Sequence, residues 1–130
     1  MVKNRKYAKG VRFERSLMEY FENHGFSVIR SAGSGHHRSP DILVFKMGKQ
    51  FGFEAKVLNK DTLSIKKEQY ENLLKWYMNT GIDIYIVWKK GKNEEVFIPL
   101  KIFKKNNKTY SITYDKALQN GLRKYDLVFG

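Results

Sequence analysis

Cysteine is absent from this chain of 130 residues, and its absence excludes several kinds of chemistry. Disulfide bridges, zinc sites built on thiolates and cysteine nucleophiles cannot form. Any metal ion would therefore be bound by oxygen atoms or by imidazole groups. Long apolar runs, a signal-peptide pattern and a lipidation motif are also missing, so we expect a soluble, cytoplasmic protein that does not enter a membrane.

Acidic residues are scarce compared with basic ones: 13 Asp and Glu stand against 25 Lys and Arg, which gives a formal charge of +12 at pH 7. On so small a protein this charge attracts polyanions, and nucleic acid is the leading expected partner. Two alternatives stay open at this point. An anionic membrane surface would be attracted by the same field, and some small lysine-rich proteins are basic without a polyanionic partner.

Linkers, internal repeats and low-complexity segments are missing too, and only 2 prolines occur. The length fits one compact domain, and the hydrophobic content of 42% is high enough to exclude wholesale disorder. We therefore expect a single domain over residues 1–130, with its core at about residues 9–100 and a less regular C-terminal tail.

Periodic hydrophobic patterns predict the element order α-β-β-β-α-β-β. Apolar residues at helical spacing predict helices over residues 11–24 and 66–79, each followed by a glycine that suits a helix end. Short runs rich in β-branched and aromatic residues predict the strands, with a weaker one near residues 109–114. The main predicted strands cover residues 26–30, 41–46, 51–57, 84–88 and 96–100.

A pattern of ionisable residues spans the second and third predicted strands. Pro40-Asp41 opens one strand, and Glu54-Ala55-Lys56 lies inside the next. If residues 48–49 or 47–50 close the hairpin, paired residues have numbers summing to 97, and Asp41 lies opposite Lys56. A loop of three or five residues would break this register. Because side chains alternate along a strand, Asp41, Glu54 and Lys56 are predicted to share one face. The other face is predicted to be buried through Ile42, Val44, Phe53, Ala55 and Val57.

Two carboxylates and one ammonium group in close contact stabilise a protein poorly, because the carboxylates repel each other and Lys56 neutralises only one. Magnesium, with Mn²⁺ as a substitute, prefers a few carboxylate oxygens and keeps several waters. Asp41 and Glu54 would hold one or two such ions, while Lys56 orients the attacking water or stabilises charge on a phosphate. The pattern thus predicts phosphodiester hydrolysis without a small-molecule cofactor. The alternative is an ordinary hairpin with a surface ion pair, since the pattern also occurs by chance.

Several segments together resemble the archaeal Holliday junction resolvases, a family of the restriction-endonuclease-like PD-(D/E)XK superfamily. The similarity extends from residue 9 to residue 88. It includes the start of the first helix, the serine- and glycine-rich loop, both parts of the acidic pattern, the second helix and the fourth strand. The segments that carry it are 9–15, 25–26, 30–35, 40–42, 54–56, 68–69 and 84–88.

The resemblance implies an α/β fold with a central mixed five-stranded sheet flanked by helices. It also implies a homodimer that cuts two strands of a branched, four-way DNA junction at symmetric positions. The apolar residues of the second helix and the strand at 84–88 are the candidate dimer interface. In this family a glutamate of the first helix joins the metal site, which implies that role for Glu14. Without the resemblance, Glu14 would be interpreted as an acidic residue that favours the helix dipole in the first turn.

DNA contacts are implied at basic and hydroxyl residues around this site. The family's basic contacts map onto Arg15 and Arg30, and its flexible loop maps onto residues 31–39, whose glycines suit close approach to phosphate. The group of Lys60, Lys66 and Lys67 could contact phosphates or simply solvate the start of the second helix. The full predicted DNA-binding set is Lys9, Arg15, Arg30, Ser31, Ser34, Arg38, Lys60, Lys66 and Lys67. Ser39 and Gln69 are separate accessory candidates; the resemblance implies that Gln69 of the second helix reaches the active site, although a Gln on a helix surface needs no function.

Two other functions remain alternatives to junction resolution. A restriction or repair nuclease, or a nickase, would use Glu14, Asp41, Glu54 and Lys56 on duplex DNA. A non-catalytic basic DNA-binding module is the third alternative, and the intact set of four residues argues against it.

Overall fold

The computed structural model describes residues 4–31 and 39–130, without the side chains of residues 4 and 5. The predicted order α-β-β-β-α-β-β is present, with one further strand before the second helix and regular structure beyond residue 100. The elements are α1 (Asn4–Asn23), β1 (Ser27–Arg30), β2 (Ile42–Lys46), β3 (Lys49–Val57), β4 (Thr62–Lys66), α2 (Lys67–Thr80), β5 (Asp83–Lys89), β6 (Val96–Pro99), a 3-10 helix (Leu100–Ile102), β7 (Lys104–Lys105), β8 (Thr109–Thr113), α3 (Tyr114–Asn120) and α4 (Lys124–Phe129).

The main sheet has five strands in the order β1-β2-β3-β5-β6. Strands β3 and β5 are parallel, and the other neighbouring pairs are antiparallel, so the predicted mixed five-stranded sheet is confirmed. Strand β5 lies inside this sheet, where Ile86 and Trp88 are fully buried. The expectation that this strand could form a dimer interface is therefore wrong, because its side chains already pack within the core.

Helix α1 covers one face of the sheet with Phe13, Leu17 and Phe21. It begins seven residues earlier than predicted and continues through Gly10. A glycine within a helix costs only about 1 kcal/mol, which the packing of this apolar face outweighs. The hairpin residues predicted to be buried on this face are largely so, with Val57 the exception at the exposed end of β3. The buried members are Ile42, Val44 and Phe53, and Ala55 is partly buried.

Helix α2 and a second, smaller sheet cover the opposite face. The small sheet has the order β4-β8-β7, and its inward residues Leu63, Ile65 and Ile112 join the core. The rings of Tyr70 and Tyr110 stack with centroids 3.7 Å apart, which attaches this sheet to α2. Sequence periodicity missed β4 because it has only two apolar positions, and 42 residues separate its end from the start of its partner β8. In the ranges that the structure describes, no helix is long and apolar enough to cross a membrane.

The hairpin between β2 and β3 closes through Met47 and Gly48, both of which have positive φ angles, 41° and 89°. These angles are typical of a two-residue type I′ turn. Because Lys46 pairs with Lys49, the residue numbers of each pair sum to 95. The predicted sum of 97 is therefore wrong, and each β2 residue pairs with a β3 residue two positions earlier than predicted. Continued beyond the last pair, this register sets Asp41 opposite Glu54. A shift of two residues keeps every side chain on its predicted face.

Candidate active site

Asp41 lies where β2 begins and β3 continues beyond it. The last β2–β3 pair joins Ile42 to Phe53, so Ala55 of β3 extends past the ladder. There the Ala55 N–H donates to Asp41 Oδ2 at 2.9 Å. The Asp41 backbone carbonyl accepts from the Ser31 N–H at 2.8 Å. The Asp41 residue is thus held at the end of the β2–β3 ladder through its carboxylate on one side and its backbone carbonyl on the other.

Glu54 of β3 is the second carboxylate, and only 8% of its surface is exposed. Gln69, on the first turn of α2, donates from Nε2 to Glu54 Oε2 at 2.7 Å. Its carbonyl accepts from Lys56 Nζ at 3.2 Å. Lys56 Nζ itself lies 4.0 Å from Glu54 Oε2. The side-chain amide of Gln69 therefore forms a bridge between the Glu54 carboxylate and the Lys56 ammonium group.

The charges of this cluster are not balanced. Burial raises the pKa of Glu54 from its ordinary 4.5 to about 7, and the negative charge of Asp41 adds to that shift. The ammonium group of Lys56 and the hydrogen bond from Gln69 oppose it. Burial also raises the pKa of Asp41, against the hydrogen bond from Ala55. Two neighbouring acids with raised pKa values favour a proton or a cation between them.

Glu14 lies on α1 and is paired with Arg30, whose Nε donates to Glu14 Oε1 at 2.8 Å. It stands ten residues after the start of the helix, so its expected position in the first turn is wrong. The helix-dipole alternative for Glu14 fails with it, because that effect is confined to the first turn. The negative charge of Glu14 still contributes to the raised pKa values of Asp41 and Glu54.

Glu14 is nevertheless outside the immediate Asp41–Glu54 cluster in this conformation. Among the residues that the structure describes, no three His, Asp or Glu side chains are grouped closely enough to hold a metal ion together. The structure therefore brings Asp41, Glu54, Lys56 and Gln69 into one site. Glu14 reaches that site by its charge and not by contact.

The structure describes most of the predicted DNA-binding residues. Ser31 and Ser39 are joined by a hydrogen bond of 2.9 Å between their hydroxyl oxygens. Ser34 and Arg38 lie outside the described residues. The remaining basic residues are exposed or half-buried on α1, before β4 and at the start of α2, namely Lys9, Arg15, Lys60, Lys66 and Lys67.

One contribution to this site was not found from the sequence, and a second, that of Gln69, was predicted only as an accessory role without its partners. The Ala55 N–H is a backbone group, and its role depends on where β2 begins, which no side-chain pattern reports. The bridge made by Gln69 depends on the packing of α2 against the main sheet. The sequence signal for Gln69 was the resemblance to the superfamily, in which a polar residue of the second helix reaches the site.

Comparison with known proteins identifies the family. Residues 5–129 match the family model described as "Archaeal holliday junction resolvase (hjc)". The chain belongs to this family. The family assignment confirms the prediction of a junction-resolving nuclease and agrees with the acidic cluster on β2 and β3.

The sequence of this chain is similar to those of named members of the family over most of their length. The chain is 36% identical over 107 residues to the crossover junction endodeoxyribonuclease Hjc of Methanocaldococcus jannaschii, covering 82% of this chain and 77% of the relative. It is 28% identical over 107 residues to the Archaeoglobus fulgidus protein of the same name, covering 81% and 79%. The solved structure of the Archaeoglobus fulgidus Hjc, a Holliday junction resolvase, matches with a TM-score of 0.82 and 25% identity, covering 92% of this chain and 95% of that one.

Proposed function

We propose that this chain is a divalent-metal-dependent endonuclease that resolves four-way DNA junctions by paired, symmetric cuts. The observation that carries the proposal is the cluster of Asp41, Glu54 and Lys56 at the end of the β2–β3 ladder, in a chain that belongs to this family. Because the substrate is intracellular DNA, we expect the protein to act in the cytoplasm. We further propose that residues 1–130 act as a single nuclease domain.

The two carboxylates suit a hard divalent cation. Their contacts engage Asp41 Oδ2 and Glu54 Oε2, so we propose Asp41 Oδ1 and Glu54 Oε1 as ligands. The raised pKa values of both groups fit this role, because a positive ion would remove the repulsion that burial makes costly. Mg²⁺, with Mn²⁺ as a substitute, suits oxygen ligands and would make a bound water more acidic and offset negative charge on the phosphate.

Lys56 is proposed to act on the reacting phosphate or on the attacking water. Its ammonium group is held by the Gln69 carbonyl at 3.2 Å, which fixes its position beside Glu54. A positive charge held there stabilises negative charge that develops on the phosphate oxygens. Gln69 touches Glu54 and Lys56 and no reacting atom, so its proposed role is to position both.

Glu14 is proposed as a third metal ligand that exchanges partners when substrate binds. In the free protein its carboxylate is paired with Arg30, whose side chain is 44% exposed. A bound phosphate would attract Arg30, and the released Glu14 carboxylate would turn to the metal. The other predicted basic residues around the site, with Ser31, Ser34 and Ser39, are proposed to bind the DNA backbone.

A homodimer is proposed because a four-way junction must be cut in two strands. A two-fold protein presents two equivalent sites to a substrate with two equivalent strands. With strand β5 inside the core, exposed apolar residues of α2 remain as the candidate interface. They are Leu74, Tyr77 and Met78.

The test is a cleavage assay on three substrates: a four-way junction, a linear duplex and a flap, each with one labelled strand at a time. With magnesium we expect symmetric nicks confined to the junction, and with a chelator we expect none. Cutting of the linear duplex at an equal rate would support a restriction or repair nuclease instead. Binding without cleavage under any divalent ion would contradict the enzymatic proposal.

A further inference from the structure

The small sheet β4-β8-β7 has an inner face in the core and an outer face in solvent. Side chains alternate along each strand, so the outward positions of the three strands form cross-strand rows. Their residues carry hydroxyl or ammonium groups. We call this surface the hydroxyl–lysine face, and it consists of Thr62, Ser64, Lys66, Lys104, Thr109, Ser111 and Thr113.

The charge of this sheet has one sign. Residues 62–66 and 104–113, which form the three strands and the β7–β8 turn, contain 4 lysines and no aspartate or glutamate. Across the three strands, Ser64 pairs with Ser111, and Ser111 pairs with Lys104, so hydroxyl and ammonium groups lie side by side. A surface of ammonium and hydroxyl groups without carboxylates favours an anion over a cation.

Asn106, in the turn before β8, orients the hydroxyl groups of Thr109 and Ser111. Asn106 Nδ2 donates to Ser111 Oγ at 3.0 Å and to Thr109 Oγ1 at 3.4 Å. Because both hydroxyl oxygens accept from the amide, their own hydrogens are available to donate outward. Serine and threonine hydroxyls that donate in this way are common partners of phosphate oxygens in protein–DNA complexes.

The face has a fixed position relative to the candidate active site. Lys66 directly precedes α2, and Gln69 of the first helical turn contacts Glu54. The stacked rings of Tyr70 and Tyr110 attach β8 to the same helix. From Lys66 the rows extend along β4 to Thr62, which is about 13 Å at the usual rise of a strand. That length corresponds to roughly four nucleotides of one strand of a duplex.

We propose that the hydroxyl–lysine face binds the sugar-phosphate backbone of a duplex arm of the junction, beyond the crossover. The inference rests on the proposed function. It extends the predicted DNA contacts from Lys66, which belongs to both sets, along the outer face of the small sheet. Contacts of this kind position DNA and carry no sequence information, so the arm is bound whatever its base sequence.

The absence of cysteine makes a direct test possible, because an introduced cysteine is unique in the chain. Ser111→Cys is labelled with a photo-crosslinker and bound to a four-way junction in a chelator, so that the DNA stays intact. Lys101→Cys is the matched control: it is exposed and follows β6, beside the start of β5 and away from the Glu54 edge. We expect Ser111→Cys to crosslink to arm nucleotides beyond the crossover and Lys101→Cys to give no crosslink.

A salt titration supplies an independent measurement. Lys104→Gln removes one charge of the face, and Lys101→Gln removes the same charge outside it. We expect the slope of log K for junction binding against log salt to fall by about one for Lys104→Gln and to stay unchanged for the control. Crosslinks confined to the crossover, or equal slopes for both variants, would overturn the inference.

Failure of the inference is distinguishable from failure of the proposed function. If the wild-type protein cuts junctions while the arm assays are negative, only the role of the face is contradicted. If the wild-type protein cuts no junction with any divalent ion, the enzymatic proposal fails wherever the crosslinks fall.

Discussion

Two glutamates of this protein are buried to nearly the same extent, Glu54 at 8% and Glu95 at 7% exposure, yet their surroundings differ. Glu95 is paired with Lys124, whose Nζ lies 3.6 Å from Glu95 Oε2 and 4.7 Å from the ring centroid of Tyr20. Glu54 has Asp41 as an acidic neighbour, and its nearest cation is at 4.0 Å. A compensated buried glutamate indicates a structural ion pair, whereas an uncompensated one beside a second acid indicates a functional site.

The largest expected difference between the two regions is in catalysis. Asp41→Asn or Glu54→Gln should lower the cleavage rate of a four-way junction at least about a hundredfold, because each removes a group acting in the chemical step. Junction binding should be retained, since no phosphate contact is lost. The measurement is single-turnover cleavage with a gel-shift assay beside it. Glu95→Gln is the control and should cut normally; a Glu54→Gln protein that cuts as fast as wild type would remove Glu54 from the site.

Glu54→Gln and Glu95→Gln should change the stability of the folded protein in opposite directions. Without divalent ions above pH 8, Glu54→Gln should raise the free energy of unfolding by up to about 3 kcal/mol, which corresponds to the pKa shift from 4.5 to about 7. Glu95→Gln should lower it by about 1 kcal/mol, because Lys124 loses its partner while staying partly solvated. Urea denaturation measures both. Changes of the same sign would break the distinction between a functional and a structural glutamate.

The pH dependence of stability sharpens the comparison further. Because the pKa of Glu54 is raised in the folded protein, the unfolded chain releases this proton first, and stability falls as pH rises from 4.5 to about 7. The advantage of Glu54→Gln over wild type should therefore grow across this window and stay constant above it. Denaturation at a series of pH values in chelator tests this, and a gap that is independent of pH would contradict it.

The smallest expected effect concerns the bridge at Gln69. Gln69→Leu removes a hydrogen bond to a charged group, and the cleavage rate should fall by roughly tenfold. Since that bond lowers the pKa of Glu54, its loss should also move the acidic limb of the pH–rate profile to higher pH. Gln69→Glu is unsuitable as a control because it adds charge, so Asn79→Leu at an exposed position of the same helix serves instead. A rate loss without any shift of the profile would reduce Gln69 to a packing role.

Much of the fold could be predicted from local patterns in the sequence. Helix α1 and helix α2 follow from apolar residues at helical spacing, and the glycines after them adopt the expected positive φ angles. The common face of Asp41, Glu54 and Lys56 depends only on alternation along a strand, so it is unaffected by the error in the turn. The start of α1 was missed because the apolar residues at helical spacing begin only after Gly10, whereas the helix itself begins at Asn4.

The small sheet was missed for a different reason. Strand β4 pairs with β8 across a long stretch of sequence. The weak strand predicted near residues 109–114 corresponds to β8, whereas no pattern indicated β4 or its place beside β8. The hydroxyl–lysine face exists only after these strands are paired. Its five hydroxyl residues and two lysines therefore have no common signal in the sequence.

By itself, the sequence determined which chemical groups are present and which face of each strand carries them. The absence of cysteine, the charge of +12 and the acidic pattern on two neighbouring strands already indicate an oxygen-bound metal and a nucleic-acid substrate. Tertiary structure decided the partner of each group: Asp41 with Ala55, Glu54 with Gln69, and Glu14 with Arg30. The physical reason is that side-chain alternation is local, whereas burial and the pKa values that follow from it depend on the packing of distant segments.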